Sequence, residues 1–475
     1  MSAAPSPMKK FILLAALAAL IGVPLPGSSD NLLEVYEKAR MSDPLLREAE
    51  ARLMASREVR SQARSVLFPE IDANADYSRQ DSRATLLFYA PTPTGEFAPI
   101  IESSTTDAKS TGWGFTLNQT IFDWAAIVAL GASNDVLAQG EADFEAALQE
   151  SMLRTAQAYF AVLGAQDELT SQSANRTAIA RQLEQAQKRF EVGLIAITDV
   201  QEAQAAHDQA VAAEIAAKRS LATAEEQLRE IVGSPMPVAS LTRPGEGMPL
   251  PLPSPNVEQS WVDTALQQNP SLISARMAAS IADAEVRLRR SDYLPTLEIV
   301  ANVNGSSGDR ERVFRGMGAD YRDSFRSDSI RLQLSVPIFD GFNRNSRVRE
   351  ARFLHRASTE RLEGVERAVV RQTRDAFLGV SSEISRVNAL RQAVASSQTA
   401  LRATEAGYEI GTRTIVDVLD ARRNLVQAET NYARSRYDFI INVLSLKSAA
   451  GILTEEDLAE VSRWMEQAEA EEAAQ

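Results

Sequence analysis

The sequence predicts a mixed α/β membrane protein with an internal duplication, in which each chain supplies four β strands and very long α-helices. Three observations predict this fold class. Landmarks of the first half of the chain recur in the same order in the second half. Segments of about 10 residues alternate apolar and polar side chains, which is the pattern and length of tilted membrane strands. Two stretches, 124–190 and 341–407, contain 67 residues each without a proline.

The duplication is visible as four pairs of landmarks: two prolines 25 residues apart, a strand that ends in Ile-Phe-Asp, a segment centred on a glycine, and a final glycine. In order, the pairs are Pro44 and Pro69 with Pro270 and Pro295, TLNQTIFD (116–123) with QLSVPIFD (333–340), RFEVGLIAITDVQEAQ (189–204) with GYEIGTRTIVDVLDAR (407–422), and Gly233 with Gly451. Such self-similarity at a fixed order is the signature of repeated structural units.

The duplication sets the expected domain organisation. Residues 1–29 read as a secretory signal, 30–233 as the first structural repeat and 257–451 as the second, with an acidic tail at 452–475. The segment 234–256 between the repeats is rich in proline, which favours an extended linker over a helix or a central strand. The end of the tail, EQAEAEEAAQ, is acidic and of low complexity, and we expect it to be disordered.

Each repeat is expected to contain a helix of roughly 30 residues, two strands joined by a polar loop, and a long helical region. The second strand of each pair alternates most clearly, in 112–122 and 329–339, while 70–77 and 297–304 alternate more weakly. The polar segments 89–110 and 306–328 then read as surface loops.

At a rise of 1.5 Å per residue, each long stretch spans roughly 100 Å if it is helical throughout. Within the second stretch, apolar residues follow heptad spacing, which indicates a coiled-coil seam. The seam contains Phe377, Val380, Ile384, Val387, Val394, Leu401 and Tyr408. Three polar residues interrupt it, namely Arg391, Gln398 and Glu405.

Four strands cannot close a barrel, and lipid does not tolerate an open strand edge, so copies of the chain must combine. Two copies give eight strands, whose interior side chains fill, whereas three copies give 12 strands and room for a lumen. The pattern alone does not choose between these, although a conduit requires the larger number.

The first residues carry a targeting signature. Lys9 and Lys10 precede the apolar run 11–25, and small residues follow, so we expect a secretory signal cleaved near Ser29. Without the signal the charge is 48 minus 64, or −16, which argues against nucleic-acid binding. No later apolar run reaches 18 residues, so a membrane crossing would have to use strands in a β-barrel.

The composition argues against an enzyme. The chain contains no cysteine and only two histidines, His207 and His355, which we expect to be exposed surface residues. It has no glycine-rich phosphate loop, no Gly-x-Ser-x-Gly motif and no zinc-ligand spacing. We therefore expect no catalytic, cofactor-binding or metal-binding residues.

The chain resembles the TolC family of outer membrane factors, the trimeric outer-membrane exit ducts of Gram-negative bacteria, from about Leu32 to Asp457. The most specific segments are AGYEIGTRTIVDVLDA and NYARSRYDFIINVLSLKSAAGILTEEDL, with RFEVGLIAITDVQ, PEIDANADYS and LNQTIFD in support. The resemblance implies a 12-stranded outer-membrane barrel continued by a periplasmic helical coiled-coil tunnel. It also implies a passive duct without nucleotide or other cofactors.

The resemblance further implies partners and a gate. Such ducts dock with a periplasmic adaptor and an inner-membrane pump or translocase, of the RND or ABC type, and export drugs, detergent-like compounds or secreted proteins. The residues that match the gate at the periplasmic end are Thr198, Asp199, Tyr408, Arg413, Asp417 and Asp420. Tyr408 and Arg413 match residues that bond across to the segment with Thr198 and Asp199. Asp417 and Asp420 match a pair that rings the constriction.

The repeat itself places Asp199 opposite Asp417, each six residues beyond a glycine, Gly193 or Gly411, that we expect at a hairpin turn. In a trimer, Asp417 and Asp420 put six carboxylates around one axis, which would attract cations and raise some of their own pKa values by repulsion. The ordinary alternative is a surface pair of Arg413 with Asp417, four residues apart, worth roughly 0.2–0.5 kcal/mol.

Three other functions fit the sequence less well. A periplasmic coiled-coil adaptor would not need four alternating strands, and a diffusion porin closes within one chain and lacks long helices. Export of soft metal ions is an alternative within the duct class, but the methionine or histidine clusters expected for it are missing.

Overall fold

A computed structural model describes residues 30–236, 240–245, 247–314 and 317–473. The expected secretory signal, 1–29, lies outside the described residues. The elements in these ranges are, in chain order, α1 (Leu32–Ser42), α2 (Pro44–Ser65), β1 (Glu70–Pro91), β2 (Phe97–Phe122), α3 (Trp124–Glu191), α4 (Ile197–Val232), α5 (Glu258–Gln268), α6 (Pro270–Ser291), β3 (Thr296–Phe314), β4 (Met317–Ser335), α7 (Asn343–Glu409), α8 (Ile415–Ala450) and α9 (Glu455–Ala473).

The two halves of the chain have the same order of elements. In both, a short helix is followed by a helix of 22 residues, two strands, a very long helix and a helix of 36 residues. The very long helices, α3 and α7, have 68 and 67 residues and match the two proline-free stretches. None of the helices described is both long enough and apolar enough to span a membrane.

The first helix of each half is broken into two pieces. Asp43 separates α1 from α2 in an extended conformation, and Asn269 does the same between α5 and α6. Both residues precede a proline, whose ring disfavours helical geometry in the residue before it. The expectation of one helix of roughly 30 residues was therefore wrong at this point.

The strands form one antiparallel sheet in the order β1-β2-β3-β4. The β2–β3 pairing joins the two halves of the chain, from Ser104 opposite Phe314 to Phe122 opposite Leu297. In this chain β1 and β4 each have a neighbour on one side only, so they are the edges of the sheet.

The strands are much longer than the sequence pattern predicted. They contain 22, 26, 19 and 19 residues, and the segments 89–110 and 306–328, expected to be surface loops, lie largely within paired strands. Their polar side chains bond across the ladder: Arg79 pairs with Asp107 at 3.0 Å, and the Thr111 and Ser307 hydroxyls lie 3.0 Å apart. Polar cross-strand pairs of this kind stabilise a sheet without an apolar pattern.

One face of the sheet is apolar near the end from which the helices continue. Ile330, Leu332 and Leu334 lie on this face of β4, and they are exposed in the single chain. The strand pattern predicted this set, but β4 ends at Ser335, before Pro337, because proline has no N–H to donate to the ladder.

The chain divides into two compact units. One contains the sheet, with Ala51–Asp143 and Ser271–Val365. The other combines the chain up to Glu50 with Phe144–Pro270 and the chain from Glu366 onward.

The core of the second unit contains buried side chains of seven helices, α1, α3, α4, α5, α7, α8 and α9, with Tyr36, Tyr159, Phe160, Phe439, Leu444 and Leu458 among the largest. The linker is fixed to this core, since the Tyr159 hydroxyl donates to the Thr242 carbonyl at 2.7 Å. Buried Asp43 accepts hydrogen bonds from Arg154 and Ser151. The C-terminal helix α9 buries Leu458, Val461 and Met465, which precede the segment expected to be disordered. The helix itself continues into that segment as far as Ala473.

Candidate functional site

The residues singled out by the sequence lie at the turns of two antiparallel helix hairpins. The first hairpin turn, 192–196, connects α3 to α4, and the second hairpin turn, 410–414, connects α7 to α8. Gly193 and Gly411 adopt φ of 75° and 79°, a conformation that costs other L-residues energy. A Cβ at either glycine would meet no atom within 4 Å, so the backbone angle alone favours glycine there.

The second hairpin turn ends in a complete capping box. The Thr414 hydroxyl accepts from the Asp417 N–H at 3.2 Å, and the Asp417 carboxylate accepts from the Thr414 N–H at 2.9 Å. The same carboxylate oxygen accepts from the Thr414 hydroxyl at 3.0 Å. These hydrogen bonds, the backbone one first, hold the pKa of Asp417 below its usual value. Within one chain, the pKa of Asp417 is thus lowered, whereas repulsion within the expected ring of carboxylates would raise it.

The first hairpin turn has no such cap. Ala196 occupies the N-cap position of α4 with backbone angles that suit a cap, but it has no side chain that could accept a hydrogen bond. Asp199, which corresponds to Asp417, therefore has no cap partner, and Thr198 beside it is exposed. Within the part of the chain that the structure describes, the Asp199 carboxylate forms no hydrogen bond or ion pair.

Tyr408 and Arg413 lie on either side of the second turn. Tyr408 packs against a buried cluster that contains Ile415 and Leu419 of α8 together with residues of α3 and α4, so it lies where the two hairpins meet. The Arg189 guanidinium of α3 lies 5.0 Å from the centre of the same ring, a cation–π contact. The stem of Arg413 passes over Gly407, where a Cβ would lie 2.7 Å from its Cγ.

Within one chain the six gate candidates are not joined to one another across the hairpins. Among the residues described, neither Tyr408 nor Arg413 is hydrogen-bonded to Thr198 or Asp199. Asp420 instead forms an ion pair with Arg423 at 3.2 Å, in which both side chains are largely exposed. The Arg413 guanidinium has no ion-pair partner within 4 Å in the described chain.

The sequence pattern missed the partners of the polar residues in the α7 seam. Arg391 donates to the Tyr432 hydroxyl at 3.2 Å, and Glu405 pairs with Arg422 at 2.5 Å. Gln398 bonds to Glu429, whose pKa is raised mainly by burial. Each of these three polar seam residues thus has a polar partner on α8. Their seven-residue spacing on α7 was visible in the sequence, whereas the residues that face them on α8 were not.

The histidines differ from expectation. His207 lies on α4 with its side chain 27% exposed, and His355 is half-buried on α7, so neither is a fully exposed surface residue. The Nδ1 atom of His207 lies 3.5 Å from Asp208 and accepts or donates no hydrogen bond.

A sheet with one apolar face, continued by helix hairpins whose first helices have 68 and 67 residues, defines a class of outer-membrane channels with a helical extension. Comparison with known proteins identifies the family within this class. The chain belongs to the outer membrane efflux protein family, whose profile matches residues 35–234 and 261–452. It is thus an outer-membrane efflux or secretion channel of a Gram-negative bacterium, and its relatives are channels rather than enzymes.

Individual relatives agree over most of their length. The chain is 37% identical over 451 residues to outer membrane protein TolC of Escherichia coli K12, covering 93% of this chain and 87% of that protein. It is 30% identical to alkaline protease secretion protein AprF of Pseudomonas aeruginosa, covering 90% and 86%. The Campylobacter jejuni outer membrane channel CmeC has the same fold, with a TM-score of 0.68 at 17% identity, covering 92% of this chain and 89% of that one.

Proposed function

We propose that three copies of the chain form a passive exit duct, in which 12 strands close a barrel and the helix hairpins continue it as a periplasmic tunnel. The observation that carries this proposal is the four-stranded sheet with free edges at β1 and β4 and one apolar face. Free edges in lipid need partners, and further copies of the same sheet supply them. Eight strands from two copies would fill with side chains, so three copies give the smallest open duct.

The internal duplication belongs to this proposal. Each copy of the chain would contribute two similar units, so that a trimer has six similar helix hairpins around its axis. The equal order of elements and the two separate ranges matched by the family profile support a duplication. The differences between the hairpin turns, a capped Asp417 against an uncapped Asp199, would then distinguish alternate positions around the axis.

The gate is proposed at the hairpin turns. Asp199, in the first turn of α4, and Arg413, in the second hairpin turn, have opposite charges and lack an ion-pair partner within the described chain, so a contact between neighbouring copies would satisfy both. Tyr408 would support this contact from the packed base of the second hairpin turn. Asp417 and Asp420 would place carboxylates near the axis and favour cations at a closed entrance.

The partners are proposed from the relatives. Two are named as protease secretion proteins and another as an outer membrane efflux protein. A passive duct of this kind needs an energised inner-membrane pump or translocase and a periplasmic adaptor to deliver drugs, detergent-like compounds or secreted proteins.

Single-channel current in planar bilayers tests this function. We expect the purified protein to give a small cation-selective current, and Asp417→Ala/Asp420→Ala to reduce the selectivity. The matched control is Glu225→Ala/Glu226→Ala, which removes two carboxylates near the C-terminal end of α4, away from the hairpin turns. This variant should retain the cation selectivity. A folded protein that gives no current would contradict the duct, and a selectivity unchanged by the Asp417/Asp420 variant would remove these residues from the entrance.

A further inference from the structure

A groove of about 550 Å³ lies where α3 begins and α6 ends. Both elements adjoin the sheet, because α3 starts at Trp124 directly after β2, and α6 ends at Ser291 shortly before β3. The neighbouring strands pair there, with Phe122 opposite Leu297. The groove therefore lies beside the strand ends from which the helices continue. Its volume is in the range of roughly 300–1,000 Å³ that is typical of ligand sites.

The lining of the groove is amphipathic. Trp124, Val128 and Leu294 supply apolar surface, and Trp124 and Leu294 remain 45% and 41% exposed. Gly131 leaves open space beside them, since a Cβ there would meet nothing within 4 Å. An apolar wall of this kind suits hydrocarbon, and tryptophan is the residue most typical of the boundary between hydrocarbon and water.

Two arginines of the groove supply positive charge that is at most weakly paired within the described chain. Arg287 and Arg290 are three residues apart on α6, so both lie on the side of the helix that lines the groove. Arg290 has no ion pair or hydrogen bond through its guanidinium among the described residues, and Arg287 has only a 3.7 Å contact with the half-exposed Asp283. Arg289, on the same turn, lies outside the groove and pairs with Glu285 at 2.7 Å.

The apolar face of the sheet ends within a few residues of the segments that line this groove. Phe122, Leu297 and Leu334 form one cross-strand row on that face, and Phe122 and Leu334 are 40% and 64% exposed in the single chain. Trp124 follows Phe122 by two residues. A lipid that covers the row could thus place its headgroup beside Arg287 and Arg290.

We propose that the groove binds the headgroup of a phospholipid, with the phosphate held by Arg287 and Arg290 and the glycerol and upper acyl chain packed against Trp124 and Leu294. Planar guanidinium groups bind phosphate oxygens through paired hydrogen bonds. Arg290, which is unpaired in the described chain, and Arg287, which has only a long and exposed contact with Asp283, therefore match one phosphodiester. The choice of the periplasmic leaflet as the source of this lipid rests on the proposed orientation, with the helices in the periplasm.

The test uses the full-length protein in detergent, with phosphatidylglycerol binding followed by native mass spectrometry. We expect Arg287→Ala/Arg290→Ala to weaken binding by about tenfold or more, since two charge-assisted contacts are lost. Arg289→Ala is the matched control and should bind like the wild type. Arg287→Lys/Arg290→Lys, which retains the charge, should recover part of the affinity. Diacylglycerol, which lacks the phosphate, should bind equally weakly to all variants.

Three results would overturn the proposal. Equal phosphatidylglycerol binding by the wild type and the double alanine variant would exclude the arginines. Full competition by millimolar inorganic phosphate would indicate a site for free anions rather than for lipid. If the double alanine and double lysine variants both fail to assemble, yet each copy binds as much lipid as the wild type, the groove would be a contact between copies of the chain. The single-channel current separates this proposal from the duct, because a double variant that conducts normally but loses lipid leaves the duct intact.

Discussion

Thr414 and Asp417 form a reciprocal pair of hydrogen bonds at the start of α8, each bonded through its side chain to the backbone N–H of the other. The corresponding residues of the first hairpin, Ala196 and Asp199, form no such pair. The two hairpins are therefore similar in backbone but different in the stability of the turn. Asp417 thus caps helix α8 within the single chain, and a role of Asp417 in the proposed gate has to be compatible with this capping.

Removal of the cap should loosen the start of α8. We expect Thr414→Ala to destabilise the first turn by about 1 kcal/mol, the usual cost of losing an N-cap hydroxyl. Hydrogen exchange at residues 415–420 would report the change as faster exchange, with the far end of α8 unaffected. If protection at these residues is unchanged, the capping box does not form in the assembled protein.

The reverse substitution in the first hairpin should stabilise it. Ala196 has φ −79° and ψ 155°, which suits an N-cap, so Ala196→Thr would create a Thr-x-x-Asp capping box with Asp199. We expect slower hydrogen exchange at residues 197–202, by an amount that corresponds to about 1 kcal/mol. Ala196→Val has a similar shape without the hydroxyl and should give no gain, which makes it the control.

The charge of Asp417 should persist to unusually low pH. Its pKa is lowered by hydrogen bonds from Thr414, so the stabilisation from the cap is present above the unfolded pKa and is lost as pH falls through the lowered folded value. We expect this lowering to exceed the repulsion within the proposed ring, because the hydrogen bonds act over about 3 Å, whereas water and salt screen the repulsion between exposed carboxylates. In an Asp420→Asn channel, cation selectivity should therefore survive below the ordinary pKa of aspartate, about 3.9.

An Asp417→Asn/Asp420→Asn channel is the control for this titration, since it has no carboxylate of either kind and should be weakly selective at every pH. Selectivity of the Asp420→Asn channel that is already lost above pH 5 would mean that crowding of carboxylates between copies raises the pKa of Asp417.

Much of the fold could be predicted from the sequence, because its signals are local. Proline-free stretches gave α3 and α7 almost to the residue, and the glycines at 193 and 411 marked both turns. The outer parts of the strands could not be predicted, since Thr111, Ser307 and their neighbours are polar and their pairing depends on the partner strand. The C-terminal helix was missed because its acidic composition hid the apolar spacing of Leu458, Val461 and Met465.

The candidate site was predictable only in part. The resemblance to known ducts marked Tyr408 and Arg413, but the packing of Arg189 on Tyr408 joins residues more than 200 positions apart and has no local pattern. The cap of Asp417 could have been found, since Thr414 precedes it by three residues in the spacing of a capping box. The contacts proposed between copies would depend on residues of different chains, which no short motif of one sequence marks.

Disruption of the gate candidates should make cells permeable. We expect Tyr408→Phe with Arg413→Ser to weaken closure, because the hydroxyl and the guanidinium that would reach the neighbouring copy are removed while the packed ring stays in place. Susceptibility to large antibiotics that normally do not cross the outer membrane measures the effect. Arg423→Ser, which removes only the surface pair with Asp420, is the matched control. Cells with normal protein levels and unchanged susceptibility would contradict the gate assignment.

Two glycines with the same backbone angle should differ greatly in their tolerance of alanine. Gly411 and Gly451 have φ of 79° and 77°, so alanine at either position costs about 1–2 kcal/mol in the left-handed conformation. A Cβ at Gly411 would meet nothing within 4 Å, whereas one at Gly451 would lie 2.5 Å from the Asn269 Cα and 2.6 Å from the Gln268 carbonyl oxygen. These are backbone atoms and cannot rotate away.

We therefore expect Gly411→Ala to give a nearly normal yield of assembled protein and Gly451→Ala to reduce it severely, as measured by membrane fractionation and thermal melting. Similar behaviour of the two variants would mean that the contact between the end of α8 and the junction of α5 with α6 is looser than the structure indicates.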